Sequence, residues 1–258
     1  MKSINFAVTE LGIKEFLNNS DIKVVVLKET SSTNDDAKNL LKSGLDSVLV
    51  VSESQTSGRG RLNREFYSPK DKGVYLSLGL RPNLSAFNAS LITSFCGVAV
   101  ANAIEQLSGV KVGLKWVNDL FINSKKVGGI LVESSFSGLN IDYVVIGIGV
   151  NVYDDIYPKF IKDVATNIEK ESGKKINKNE LIAHIINNLS NLENQIKSKE
   201  FLNEYKERQI ILNKQIKVVT PSGEFYSTAI DIDESGALIV ENNGEKQLIT
   251  AGDVSIRF

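Results

Sequence analysis

The sequence predicts an α+β fold in two unequal parts: a larger one in which helices pack with β-strands, and a small C-terminal one resembling a β-barrel. Three observations carry this. β-branched runs and helical periods alternate irregularly up to Asn213. Beyond it, short strands and glycine-containing turns take over. The chain has 258 residues, 42% hydrophobic and 24% charged, which suits one large soluble domain and a small one.

The elements follow in order. Ile22 to Leu27 is β-branched and reads as a strand. Ser32 or Thr33 can cap a helix, Asp35 and Asp36 suit its positive end, and Gly44 stops it beyond Lys42. Strands are predicted at Ser47–Glu53 and Gly73–Leu80. A long helix follows Ser85 and runs to about Leu107; it is apolar on most faces, so it should be buried. Lys111–Asn118, Leu120–Ile122, Val127–Glu133 and Tyr143–Asn151 read as strands separated by turns. Helical period returns from Leu181 to Ile196. Ile216–Thr220, Phe225–Ile232, Ala237–Glu241 and Gln247–Ile249 are then short strands, which places a boundary near Leu212–Gln215.

Composition excludes several functions. Thirty basic and thirty-one acidic side chains give a net charge of -1, against a broad electrostatic grip on nucleic acid. One cysteine, Cys96, makes no internal disulfide and no zinc cluster. Cys96 reads as a small core residue and the single histidine, His184, as structural. The N-terminus shows no signal peptide. The strongly apolar run Leu91 to Ile104 is shorter than the ~20 residues that span a bilayer. A soluble, cytoplasmic protein without membrane contact is expected.

Four stretches carry candidate chemistry. In Gln55-Thr56-Ser57-Gly58-Arg59-Gly60-Arg61, glycines let the backbone approach a ligand and arginines offer forks for carboxylate or phosphate. A solvated basic turn explains them equally well. The stretch is neither a dinucleotide fingerprint nor a Walker A loop. Lys115-Trp116-Val117-Asn118-Asp119 ends an apolar strand with groups that suit Mg²⁺ or phosphate, or simply a turn. Lys126-Val127-Gly128-Gly129 puts two glycines into a strand, where a ligand or a neighbouring backbone comes close. Gly147 and Gly149 alternate on another strand and therefore open one face of it, for a flat group or for a tight crossing.

Taken in this order, with Ser32-Thr33-Asn34 ahead of them, these stretches make the chain resemble the biotin protein ligases from about Lys23 to the C-terminus. The resemblance implies a mixed β-sheet catalytic domain over residues 1–212 and a small SH3-like β-barrel domain over 213–258. It implies ATP-dependent activation of biotin to biotinyl-5′-AMP, with Mg²⁺, and transfer to a lysine of a biotin carboxyl carrier domain. Two departures stand out. The family usually has proline where Val117 stands, and tryptophan often sits where Phe66 is. About 20 residues precede the catalytic region, too few for the DNA-binding winged helix of some members, so no specific DNA binding is expected. Family members are often dimers, which makes a homodimer a further partner.

The resemblance also assigns residues. Ser32, Thr33, Asn34 and Gln55 would meet the biotin head. Gly58, Arg59, Gly60 and Arg61 belong to the loop over biotin and adenylate. Lys126 and Arg61 would be catalytic, with Lys126 at biotin's carboxylate and the reacting phosphate. Lys115, Trp116, Gly128, Gly129, Gly147 and Gly149 would complete the ligand site. Asn118 and Asp119 would contact phosphate or its magnesium. Phe66 and Asn151 would flank adenine, and Arg257 would reach the nucleotide. The nearest alternative is a lipoate or octanoate ligase or transferase of related fold; a non-catalytic adaptor is the other.

Overall fold

The computed structural model describes residues 7–19, 21–220 and 223–256. Seven strands form the main sheet: β1 (Lys23–Leu27), β2 (Ser47–Ser52), β3 (Gly73–Leu80), β4 (Gly113–Lys115), β5 (Asp119–Ile122), β6 (Lys125–Ser137) and β7 (Asn140–Asn151), in spatial order β1-β2-β3-β7-β6-β5-β4. Only β1 and β2 run parallel, joined across the sheet by helix α2 (Thr33–Lys42), while the other pairs are antiparallel. The sheet is mixed, as the resemblance implied.

Side-chain alternation gives the sheet two faces. In β2, Leu49 and Val51 enter the main core, whereas Val48 and Val50 pack with Ala37 and Leu41 of α2 in a second cluster. The main core lies under α3 (Ala89–Ser108), whose apolar faces are nearly all buried. By length and hydropathy α3 could cross a membrane, but most of it is enclosed by protein. Gly109 ends it in the left-handed conformation that favours glycine. Cys96 is buried in α3 and belongs to the main core. His184 Nδ1 lies 2.9 Å from Gln106 Oε1, joining helix to helix.

The structure differs from the sequence reading in several places. The predicted strand Lys111–Asn118 pairs in the sheet only over β4, whose Leu114 also accepts from Ile210 and donates to Arg208 on its other side. The helical run from Leu181 is broken at Ser190–Asn191 into α5 (Lys178–Leu189) and α6 (Leu192–Ser198), and α7 (Phe201–Glu207) follows. Two short helices, α1 (Glu10–Lys14) and α4 (Ile168–Ser172), were not foreseen. Each is capped by its own side chain, Thr9 or Asn167.

Strands β8 (Gln215–Thr220), β9 (Gly223–Ile232), β10 (Leu238–Asn242), β11 (Glu245–Ile249) and β12 (Asp253–Ile256) form a second, antiparallel sheet in order β11-β10-β9-β8-β12. Its edges β11 and β12 do not pair with each other among the described residues, so it is an open sheet and not a closed barrel. Ile216, Val218, Ile232, Leu238 and Val254 join the same hydrophobic cluster as α3. Trp116 crosses the junction: it is 2% exposed and its Nε1 donates to the Gly236 carbonyl at 3.0 Å.

Candidate active site

The candidate chemistry lies on the sheet face that α2 covers. In β7, Val144, Ile146, Ile148 and Val150 point into the main core, so Val145, Gly147 and Gly149 face α2. Register carries this face across the sheet. Ser77, Gly147 and Leu131 stand side by side. Tyr75, Gly149, Gly129, Asp119 and Lys115 form the next row. The paired Gly129 and Gly149 form part of the floor, with the Phe66 ring over Gly149. Above it lies a cavity of about 720 Å³, within the roughly 300–1,000 Å³ of small-molecule sites.

One end is built for hydrogen bonding. Ser32, Thr33 and Asn34 are buried at the start of α2 and line the cavity with Gln55. Thr33 donates its N–H to Gln55 Oε1 at 3.0 Å, and Gln55 Nε2 donates to Ser68 Oγ at 3.0 Å. Ser77 Oγ lies 2.7 Å from Thr33 Oγ1 and 2.6 Å from Asn34 Oδ1. A Cβ on Gly147 would overlap the Asn34 carboxamide, so here the glycine makes room for a side chain of α2. Gly147→Ala is therefore expected to push Asn34 out of place, costing about 1–3 kcal/mol by overpacking and raising the KM for the ligand bound at this end. Wild-type melting temperature and KM in that variant would refute the arrangement.

The other end is cationic. Asp119 is buried between two ammoniums, its Oδ1 2.6 Å from Lys126 Nζ and its Oδ2 3.0 Å from Lys115 Nζ. Burial alone would raise its carboxyl pKa, but Lys126 and Lys115 hold it below the usual range. Such a depressed group stays ionised at neutral pH and loses its charge only as pH falls through its folded-state value. Asp253 Oδ1 also lies 4.0 Å from Lys115 Nζ, so the cations of this end, Lys115, Lys126, Arg61 and Arg64, outnumber the two carboxylates and leave a net positive charge. Arg61 and Arg64 come from the loop, which also lines the cavity. Burial holds Arg61 below its usual range, against the pull of Asp253 and Asp119. Arg64 pairs with Asp253 of β12 at 2.5 Å, which brings the second sheet to the cavity.

The glycine–arginine loop folds back on itself. Gly60 N–H donates to the Arg64 carbonyl at 2.7 Å and Phe66 N–H to the Gly58 carbonyl at 2.8 Å. Arg59 is fastened to Asp35 of α2 at 2.6 Å, and that bond holds the Asp35 carboxyl below its usual range. The Phe66 ring lies over Gly149, where a Cβ would overlap it.

Arg59, Gly60, Arg61, Phe66, Asn118, Lys126, Gly129 and Gly149 line the cavity, but four expected residues do not. Gly58 is buried under Phe66 and Ser68, whose atoms a Cβ would strike at 2.5 and 2.6 Å. Gly128 makes room for the Gly149 carbonyl, 2.6 Å from its would-be Cβ. Trp116 is spent on the junction with the second sheet. Asn151 Nδ2 donates to the Thr166 carbonyl at 3.0 Å and fastens the segment returning after β7. Arg257 lies outside the described residues. Nor do Asn118 and Asp119 present a cradle for a resident metal. Asn118 Nδ2 donates to the Ile130 carbonyl at 2.8 Å, and both Asp119 oxygens face lysines. Among the described residues no three His, Cys, Asp or Glu side chains are placed so that they could hold a metal ion.

The sequence reading missed Phe160, Ile161 and Val164, which line the cavity from an aperiodic segment, and Asp253 and Ser255 on the unforeseen β12. It also missed Ser77 and Glu133. Ser77 had a signal: a serine inside the apolar strand Gly73–Leu80 needs a buried partner.

A glycine-lined cavity between a hydrogen-bonding end and a cationic end suits an enzyme that brings a polar head group and anionic reactants together, which is the task of an adenylate-forming ligase. Residues 26–151 match the biotin/lipoate A/B protein ligase family, and residues 211–257 match the biotin protein ligase C-terminal domain. The bifunctional ligase/repressor BirA of Bacillus subtilis is 31% identical over 90% of this chain and 72% of its own length. The biotin–acetyl-CoA-carboxylase ligase of Paracoccus denitrificans is 30% identical over 89% of this chain and 98% of its own. The biotin protein ligase of Aquifex aeolicus, solved with biotin and ATP, superposes with a TM-score of 0.77 at 28% identity, covering 91% of this chain and 98% of that one. The chain belongs to the biotin protein ligase family.

Proposed function

We infer that this enzyme activates biotin with ATP and transfers it to a lysine of a biotin carboxyl carrier domain. The observation that carries the reading is the two-ended cavity over paired glycines, in a chain of this family. In the first step an oxygen of biotin's carboxylate attacks the α-phosphorus of ATP. The bond to the bridging oxygen breaks, and pyrophosphate leaves with the electron pair. In the second, a carrier lysine's neutral amine attacks the acyl carbon of biotinyl-5′-AMP, AMP leaves, and the amine gives up a proton. Both reactants of the first step are anions, so Lys126, Lys115, Arg61 and Arg64 are assigned to draw them together. Ser32, Thr33, Asn34 and Gln55 take the ureido head, whose N–H and C=O groups need acceptors and donors. Phe66 offers a flat face to adenine. Magnesium enters as part of the nucleotide substrate, since the carboxylates at this end, Asp119 and Asp253, are already paired.

The test is biotin-dependent exchange of pyrophosphate into ATP, beside thermal stabilisation by biotin, lipoate and octanoate. Exchange with biotin alone is expected, together with a stabilisation of about 2.7 kcal/mol at a biotin concentration 100 times its Kd. Stabilisation by lipoate or octanoate in place of biotin would favour the acyl-chain enzymes instead.

A further inference from the structure

Glu133 lies on β6, on the face that α2 covers, beside Val145 in register. Both its oxygens are used by one face of α2. Asn34 Nδ2 donates to Oε2 at 2.6 Å, and Lys38 Nζ, one turn further on, lies 2.6 Å from Oε1. We propose that Glu133 is a positioning residue which, acting through Asn34, fixes the direction of the hydrogen bonds at the biotin head-group end. This rests on the assignment of that end made above.

An ionised carboxylate only accepts hydrogen bonds. The edge of the Asn34 carboxamide that meets Glu133 must therefore be its NH₂, and Oδ1 must face Ser77. Oδ1 only accepts, so Ser77 gives it its single hydroxyl proton. With that proton spent on Oδ1, the 2.7 Å contact between Ser77 and Thr33 has to use the Thr33 proton, which it draws from the longer 3.2 Å contact to Gln55 Oε1, an oxygen already served by the Thr33 N–H. One charge thus sets the polarity of a chain of four side chains, Glu133, Asn34, Ser77 and Thr33. A carboxamide turned by 180° would set Oδ1 against the Glu133 carboxylate and the NH₂ against Ser77, reversing the donors and acceptors of this end. Lys38 holds Glu133 in place through Oε1 and does not touch Oε2, the oxygen that Asn34 uses. The same turn of α2 also carries Asp35, the residue that fastens Arg59, so the loop and the head-group end share one support.

Glu133→Gln keeps the shape and loses the charge. Its biotin KM in pyrophosphate exchange is expected to rise about tenfold or more, the scale of one charge-assisted hydrogen bond. Its kcat and its KM for ATP should stay within about twofold. In an Asn34→Ala background the same change should move biotin KM by less than about twofold, because the coupled partner is gone. Lys38→Met breaks the ion pair but spares the bond to Asn34, and should change biotin KM by no more than about threefold. A wild-type biotin KM in Glu133→Gln, an equal rise in both backgrounds, or an equal rise in Lys38→Met would each overturn the proposal and leave Glu133 as an ion pair holding α2 to β6. Absence of biotin-dependent exchange in the wild-type protein would instead refute the functional reading beneath it.

Discussion

Lys126→Ala is expected to lower biotin-dependent pyrophosphate exchange by about 10²–10³-fold, or roughly 2.7–4 kcal/mol of barrier, while the protein stays folded. Adenylation brings an anionic oxygen to an anionic phosphate, and a fixed ammonium beside both lowers the repulsion most where water is excluded. Lys126 is fixed in two ways. Its backbone exchanges bonds with Val164 and Thr166, and its Nζ is drawn to Asp119 at 2.6 Å. The variant should fold because Asp119 keeps Lys115 as a partner at 3.0 Å. Because Asp119 stays ionised well below neutrality, the size of the loss should be constant from about pH 6 to 8. Lys126→Arg should rescue only in part, since a planar fork cannot occupy the same point. Transfer from supplied biotinyl-5′-AMP should suffer less, because the anhydride is already made. Exchange within about threefold of wild type, far short of that loss, would make Lys126 a strand-end lysine and remove it from the reaction centre.

Trp116→Ala is expected to destabilise the protein by about 3–5 kcal/mol, the usual cost of emptying a buried aromatic site. For a chain of this size that lowers Tm by roughly 6–20 °C. The indole is buried and bonds the turn before β10, so its loss opens the contact between the two sheets. Trp116→Phe separates packing from the hydrogen bond. It keeps a ring but leaves the Gly236 carbonyl without its donor, for about 1–3 kcal/mol. In both variants the residual folded protein should keep its KM for biotin and ATP. Selective loss of substrate affinity in Trp116→Phe, with Tm unchanged, would return Trp116 to the ligand site where the resemblance put it.

Trp116 illustrates where the sequence could and could not be read. Local signals worked where a rule acts within a few residues. The bounds of β3 follow the alternation of Val74, Leu76, Leu78 and Leu80, and α2 starts just after Ser32 and ahead of Asp35, although the Ser32 side chain makes no capping bond. The period of two put Gly147 and Gly149 on one face. The same period misled at Lys111–Asn118: Val112, Leu114 and Trp116 are all buried, yet only Gly113–Lys115 pairs in the sheet, with Leu114 also bonding Arg208 and Ile210 on its other side. The helix break at Ser190–Asn191 has no glycine or proline to announce it. At the site, motifs exposed residue types but not directions. Whether a glycine opens onto the cavity, as Gly129 does, or makes room for a protein group, as Gly128 does, depends on what another strand brings opposite it. Pairs such as Arg64 with Asp253, or Asn34 with Glu133, join distant stretches that no local pattern connects.

The alternation in β2, β3 and β7 makes the sheet a partition between two kinds of constraint. On the α3 side, Leu49, Leu76, Ile146 and Ile148 need only be apolar and of about the right volume, so swaps among Val, Ile and Leu should usually cost under about 1.5 kcal/mol. On the α2 side, single atoms decide what fits, as at Gly147 and Ser77. A saturation library of β7 should therefore split by parity: even positions from 144 to 150 accept several apolar residues and keep activity, while Gly147 and Gly149 accept almost none. Sequence drift can proceed on one side of a sheet one residue thick while the chemistry on the other stays fixed.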